Sequence, residues 1–151
     1  MTKTIKNWAK TTTCNPSKYI FPRTEKEIQS LVKSALKTST PIKVCGTRHS
    51  YNHIFHNHPD GILINLKKFN KIEHVNKDTG LVTFQAGAKT PILLMKLKKY
   101  GLTIPNLGTN IMDNFIGACS NGYHGSGITY GIQSCMIQSL DLMTGTGKKI
   151  T

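Results

Sequence analysis

Residues 42–50 have the sequence IKVCGTRHS, in which a short apolar strand runs directly into a polar turn that begins with glycine. A turn of this kind can point successive backbone N–H groups toward one position, which is how proteins build a phosphate-binding nest. Thr47, Arg48 and Ser50 add side-chain donors to those amides. The turn matches neither a Walker A motif nor a GxGxxG fingerprint, so an ordinary strand-to-loop turn stays open as the alternative.

Helices and strands follow one another irregularly around this turn. The segment from Thr24 to Thr38 is predicted to be a helix, because Thr24 and Glu27 have the spacing of a capping box and an apolar stripe follows them. The other predicted elements are a strand at 61–66, a hairpin with strands at 72–76 and 81–86, a helix at 90–100, a short helix at 112–119, a strand at 135–144 and the start of a returning strand at 148–151. This mixture lacks strict βαβ alternation and predicts an α+β fold.

A second unusual segment covers residues 117–127, GACSNGYHGSG, in which four of the eleven residues are glycine. Glycine lets the backbone approach a ligand closely, and the side chains of His124 and Ser126 offer further polar groups. A flexible surface loop is the alternative. Two polar glycine turns in one strongly basic chain favour a single bound polyphosphate over two unrelated turns.

The composition limits the classes of protein to which the chain can belong. Its 151 residues suit about one domain, and 20 Lys and Arg against 7 Asp and Glu give a net charge of +13. Such a surface attracts anions, whether nucleic acid, anionic lipid or a phosphorylated small molecule. The lysines are scattered, so they indicate a solvated face and give no clear sign of nucleic-acid binding. No apolar run is long enough to span a membrane.

The cysteines and histidines predict neither a disulfide framework nor a metal site. No CxxC pair occurs among the four cysteines, which are Cys14, Cys45, Cys119 and Cys135. The N-terminus lacks the apolar segment of a secretory signal, so we expect reduced thiols and a cytoplasmic location. Four histidines lie within ten residues but match no zinc signature, and they are His49, His53, His56 and His58. We expect no metal and assign no catalytic acid–base pair.

The order of the segments is more specific than any one of them. Along the chain come Asn7-Trp8-Ala9, the helix at 25–36, VCGTRHSYN at 44–52, FQAG at 84–87, GLTIPNLG at 101–108, IGA at 116–118, GYHGSG at 122–127 and the strand and turn at 140–147. This series resembles the flavin-binding half of the vanillyl-alcohol oxidase family, with the sugar-lactone and alditol oxidases as the nearest branch. The resemblance covers nearly the whole chain.

The resemblance implies an FAD-binding domain of the PCMH type, built from two α+β subdomains with the cofactor between them. The expected boundaries are 1–66 for the first subdomain and 67–151 for the second. We expect the second to be incomplete, truncated at its C-terminus, and the substrate domain to be absent. The implied activity is that of an FAD-linked oxidoreductase acting on CH–OH groups. We expect this chain to be inactive alone, with FAD and a second chain carrying the substrate domain as partners.

The resemblance also implies two groups of FAD-contacting residues. The first group matches the family's pyrophosphate loop and comprises Val44, Cys45, Gly46, Thr47, Arg48, His49 and Ser50. The second group matches another flavin-contacting loop and comprises Ala118, Gly122, Tyr123, His124, Gly125, Ser126, Gly127 and Gly131. His49 stands where many members attach the flavin covalently, through a bond from histidine to the 8α-methyl carbon. Tyr123 departs from the family pattern, which usually has threonine or another small residue there.

A non-catalytic basic module that binds nucleic acid or another polyanion is the alternative function. Its support is the net charge of +13, which exceeds what one dinucleotide requires. The two hypotheses predict different properties. A flavoprotein is yellow, whereas a polyanion-binding module is colourless and binds DNA with a steep dependence on salt.

Overall fold

The computed structural model describes residues 4–151, which divide into two compact units. Among the described residues, unit 1 comprises 4–68 together with Ser139–Thr151, and unit 2 comprises Phe69–Gln138. The assignment of FAD-binding subdomains to 1–66 and 67–151 stays a prediction. The compact units differ from it at the C-terminal end, because residues 139–151 belong with the first part of the chain.

A small parallel sheet forms the centre of unit 1. Its strands are β3 (Lys18–Ile20), β4 (Ile42–Cys45) and β5 (Ile62–Asn65), arranged in the order β3-β5-β4. Helix α1 (Glu25–Lys37) connects β3 to β4. The middle strand β5 is buried along its whole length, as expected for a parallel strand covered on both faces. A further antiparallel pair precedes the sheet, β1 (Ile5–Lys6) with β2 (Thr13–Cys14).

Alternate residues of β5 face two different hydrophobic clusters, because successive side chains of a strand point to opposite faces. Ile62 and Ile64 pack with Ala35 and Leu31 of α1. Leu63 packs on the other face with four buried residues from β1, β2, β4 and a loop, which are Ile5, Cys14, Cys45 and Phe55. The predicted strand at 61–66 is therefore confirmed as the core of unit 1.

Helix α1 begins where its capping residues predict. Thr24 Oγ1 accepts a hydrogen bond from the backbone N–H of Glu27 at 3.1 Å, and Glu27 Oε2 accepts one from the N–H of Arg23 at 2.8 Å. The first bond satisfies an orphan donor of the first helical turn, and the second fixes the residue that precedes the N-cap. The predicted helix at 24–38 is confirmed to within one residue at each end.

The end of the chain returns to unit 1 as an antiparallel hairpin of β8 (Leu142–Met143) and β9 (Lys149–Ile150). Lys149 Nζ pairs with Asp141 at 2.9 Å and with Glu25 of α1 at 3.1 Å. The predicted strand at 135–144 is wrong over most of its length, since Gln133–Met136 is a 3-10 turn and only Leu142–Met143 pairs. A short apolar run does not by itself distinguish a strand from an irregular segment.

Unit 2 combines a hairpin with two short helices. The hairpin strands are β6 (Ile72–Val75) and β7 (Val82–Phe84), and the helices are α2 (Thr90–Lys98) and α3 (Phe115–Cys119). Its buried cluster brings together Ala88, Leu93, Phe115 and Cys119. Of the helices within residues 4–151, none is long and apolar enough to cross a lipid bilayer.

Candidate functional site

The loop at 46–50, which we call the first loop, follows directly from β4 in unit 1. Cys45 is buried at the end of the strand, Val44 is exposed, and all five residues of the first loop are half-buried. Arg48 lies in the left-handed region with φ of +61°. A left-handed residue within a turn is one of the conformations that converge backbone N–H groups on an anion.

The side chain of Arg48 fixes this unusual backbone. Its Nε donates to the carbonyl of Lys6 at 2.8 Å, and its Nη1 donates to the hydroxyl of Tyr19 at 2.9 Å. The carbonyl of Arg48 accepts a hydrogen bond from the N–H of Trp8 at 2.8 Å. A left-handed conformation costs a non-glycine residue about 1–2 kcal/mol, and these three bonds offset that cost.

The buried side-chain amide of Asn65 supports the first loop through hydrogen bonds. Asn65, at the end of β5, donates from Nδ2 to the hydroxyl of Tyr19 at 2.9 Å, to the carbonyl of Gly46 at 3.1 Å and to Cys45 Sγ at 3.5 Å. Its Oδ1 accepts from the N–H of Lys67 at 2.9 Å. Burial raises the pKa of both the Cys45 thiol and the Tyr19 phenol. Both groups therefore stay protonated at neutral pH, and Cys45 is a structural thiol rather than a nucleophile.

Two backbone donors of the first loop have no protein acceptor among the described residues. Within residues 4–151, the backbone N–H groups of Thr47 and Ser50 donate to no protein acceptor. Both residues are half-buried, so these donors need a partner or water. The carbonyl of Ser50 accepts from Asn7 Nδ2 at 3.1 Å. His49 lies between Arg48 and Ser50, with its ring stacked on Trp8 at a centroid distance of 5.1 Å and an interplanar angle of 24°.

The loop at 122–127, which we call the second loop, follows α3 in unit 2. Ala118 is buried in α3, and its carbonyl accepts from the N–H of Tyr123 at 3.2 Å. Gly122 has φ of +66°, the left-handed conformation that commonly ends a helix. The predicted helix at 112–119 is confirmed only over Phe115–Cys119.

Tyr123 anchors the second loop to a neighbouring segment of the same unit. Its hydroxyl donates to the carbonyl of Asn110 at 2.6 Å and accepts from the N–H of Asn110 at 3.0 Å. Its ring lies so close to Gly108 that a side chain at position 108 would overlap it. The carbonyl of Tyr123 accepts from the N–H of Gln133 at 2.8 Å. The tyrosine that departs from the family pattern is therefore engaged in contacts within unit 2.

The glycines of the second loop approach protein atoms of unit 2 closely. A Cβ at Gly125 would overlap the side chain of Asn106 and the carbonyl of Leu107, and one at Gly127 would overlap the ring of Tyr130. At Gly131 it would meet Cys135 Sγ at 2.9 Å. Internal packing alone therefore excludes a side chain at Gly125, where the overlap is with backbone, and requires neighbouring side chains to move at Gly127 and Gly131. The two other polar residues of the loop, His124 and Ser126, are exposed.

Two buried polar residues, Asn106 and Gln133, form hydrogen bonds that the sequence analysis did not predict. Asn106 Nδ2 donates to the carbonyl of Gly131 at 3.2 Å, and Gln133 Nε2 donates to the carbonyl of Asn106 at 3.4 Å. Gln133 is 1% exposed, and its Oε1 has no hydrogen-bond partner among the described residues. No local pattern marks these two residues, because their partners lie about 25 positions away in sequence.

The histidine-rich segment forms a ring contact. His53 and His56 face each other with ring centroids 4.3 Å apart, and burial together with the nearby His53 lowers the pKa of His56. Over the described range, 4–151, no three side chains of His, Cys, Asp or Glu gather in a way that could hold a metal ion.

Comparison with known proteins identifies the class of this chain. The FAD binding domain family matches residues 16–151, which is most of the sequence, so the chain belongs to that family. L-Gulonolactone oxidase of Mus musculus is 33% identical over 143 residues, covering 95% of this chain and 32% of that protein. D-Arabinono-1,4-lactone oxidase of Yarrowia lipolytica is 34% identical over 150 residues, covering 97% of this chain and 28% of that protein.

The fold is shared with a solved oxidase structure. 6-Hydroxy-D-nicotine oxidase from Arthrobacter nicotinovorans superposes with a TM-score of 0.79 at 25% identity, covering 87% of this chain and 29% of that one. The predicted α+β fold of PCMH type is confirmed by these matches. The chain spans 28–32% of the length of the two lactone oxidases. None of these matches supports the alternative of a polyanion-binding module.

Proposed function

We propose that this chain binds FAD as the cofactor-binding part of an oxidoreductase that acts on a sugar lactone or an alditol. The observation that carries the proposal is the family match over residues 16–151, which includes both loops. The lactone oxidases that match nearly the whole chain support a sugar lactone as the substrate class. When bound, FAD supplies the acceptor for the hydride that leaves the oxidised carbon.

In this proposal, each loop contributes contacts to FAD. In the first loop, the amides of Thr47 and Ser50 bind the pyrophosphate, and Arg48 keeps the loop in shape through its own intramolecular partners. The second loop contributes backbone from Gly122 to Gly127. We propose that 1–66 and 67–151 are the two FAD-binding subdomains, each of which contributes one of these loops.

His49 is the proposed point of covalent attachment. His49 would hold the flavin through a bond from one imidazole nitrogen to the 8α carbon, in place of the imidazole N–H bond and one methyl C–H bond. The two protons would pass to solvent, and molecular oxygen would take up the two electrons with two protons as hydrogen peroxide. A half-buried imidazole within the proposed phosphate-binding turn supports this role.

Acid precipitation after incubation with FAD tests the covalent link. The chain is expected to retain its flavin fluorescence in the precipitate, whereas His49→Ala releases all flavin into the supernatant. The matched control is His58→Ala, because His58 is an exposed histidine whose side chain pairs only locally with Asp60 at 3.5 Å. Retention of flavin by His49→Ala would refute the assignment.

Anaerobic reduction of the bound flavin tests the substrate class. The measurement uses a protein that joins this chain to the remaining length found in its relatives. In that protein, we expect a sugar-1,4-lactone to bleach the flavin absorbance at about 450 nm. Glucose and simple alcohols serve as controls and leave the absorbance unchanged. Bleaching by the simple alcohols and not by lactones or alditols would contradict the proposed class.

We also propose a cytoplasmic location. The support is the chemistry of the thiols, since all four cysteines are unpaired and three of them are buried. Cell fractionation with an antibody against the chain tests this location, and recovery in a secreted fraction would overturn it.

A further inference from the structure

We infer that Trp8 is a positioning residue that holds the ring of His49 for flavin attachment. This inference rests on the proposed role of His49. Trp8 is the single tryptophan of the chain, and its indole stacks on the imidazole at 5.1 Å and 24°. His49 belongs to the proposed phosphate-binding turn. Trp8 is far from this turn in sequence, but hydrogen bonds join its segment to the turn.

Three hydrogen bonds tie the segment around Trp8 to the two residues that flank His49. The N–H of Trp8 donates to the carbonyl of Arg48, and Arg48 Nε donates to the carbonyl of Lys6, both at 2.8 Å. Asn7 Nδ2 donates to the carbonyl of Ser50 at 3.1 Å. The backbone on both sides of His49 is therefore fixed against the backbone that carries Trp8.

Burial does not explain the position of the Trp8 side chain. It is 59% exposed, although tryptophan is the side chain that gains most from being buried. Its described ring contact is the imidazole of His49. The indole of Trp8 therefore stacks on the ring of His49, while most of the indole surface stays in contact with solvent.

Stacking restrains the imidazole without blocking its chemistry. The lone pair of an imidazole nitrogen lies in the plane of the ring, whereas the indole covers one face of the ring. Rotation of His49 away from the stack loses an aromatic contact, so the ring is held with its nitrogens directed past the edge of the indole. Attack on a carbon then starts from a restricted set of orientations, which accelerates the bond-forming step.

The test is the rate at which acid-stable flavin fluorescence appears after FAD is added to the apo form of the full chain. We expect Trp8→Ala to slow this rate about tenfold, because the ring of His49 gains orientations that cannot react. Trp8→Phe keeps an aromatic ring in the stack and is expected to restore the rate to within about threefold. Trp8→Leu keeps apolar bulk without the ring and is expected to behave like Trp8→Ala.

Tyr51→Ala is the matched control, because Tyr51 is a 71% exposed aromatic residue two positions after His49. Its attachment rate is expected to equal that of the unaltered chain. The dissociation constant for FAD, measured separately before attachment, is expected to change less than about threefold in Trp8→Ala. A purely structural loss would instead weaken binding and lower the thermal midpoint together.

The outcomes separate this inference from the proposed function. If the unaltered chain binds FAD but never forms acid-stable flavin, the covalent role of His49 is wrong, and the role of Trp8 falls with it. If the unaltered chain attaches flavin and Trp8→Ala does so at the same rate, only the inference about Trp8 is overturned. Equal rates for Trp8→Leu and Trp8→Phe would also overturn it, because the aromatic ring would then be irrelevant.

Discussion

The first and second loops are built in opposite ways. The first loop contains one glycine and is supported by side chains from neighbouring strands, which leave the amides of Thr47 and Ser50 available. The second loop contains three glycines, and two of them lie against protein atoms of its own unit. One loop is therefore shaped by hydrogen bonds to a strained backbone, and the other by close packing that excludes side chains.

The largest expected effect follows from this packing. We expect Gly125→Ala to destabilise unit 2 by about 3 kcal/mol, because the added methyl overlaps the carbonyl of Leu107, which is backbone and cannot rotate away. Urea unfolding followed by circular dichroism measures the loss. Gly145→Ala is the control, since its Cβ would meet no atom within 4 Å and the change is expected to stay within about 0.5 kcal/mol. Equal stability of the two variants would show that the second loop is not tightly packed.

The next effect tests the side-chain support of the first loop. Asn65→Ala removes the donor to Tyr19, Gly46 and Cys45 from a residue that is 3% exposed, and we expect a loss of about 2–3 kcal/mol. The affinity for FAD is expected to fall with it, because the first loop loses its support. Asn121→Ala, at an exposed asparagine bonded only to the carbonyl of Gly117, is the control. A neutral Asn65→Ala would contradict the account of the first loop.

The smallest effect concerns the residue that departs from the family pattern. Tyr123→Phe keeps the ring against Gly108 but removes both hydrogen bonds to Asn110, and we expect a loss of about 1 kcal/mol. Thermal unfolding measures this loss against Tyr51→Phe, an exposed position where no change is expected. If Tyr123→Phe were neutral in stability yet strongly altered FAD affinity, the hydroxyl would act on the cofactor rather than on the segment at Asn110.

Local signals predicted the elements that local interactions build. The capping residues of α1, the strand before the first loop and the hairpin turn at 77–80 are all marked by neighbouring residues, and the structure confirms those elements. The strands at 5–6, 13–14 and 18–20 were missed, because two or three residues are too short to show a period. The hydrogen bonds that support the loops were not predicted, for another reason. The partners of Asn65 lie 19 to 46 positions away and the partner of Gln133 lies 27 positions away, and no local pattern encodes such partners.

Titration of the apo chain with FAD tests the central claim most directly. Calorimetry is expected to show saturable binding of one FAD per chain, accompanied by quenching of Trp8 fluorescence. Riboflavin, which lacks the pyrophosphate, is expected to bind at least about tenfold more weakly, since it makes no contact with the amides of the first loop. Absence of saturable binding at about 100 μM FAD, or equal affinity for FAD and riboflavin, would contradict the proposal that the first loop holds the pyrophosphate of the cofactor.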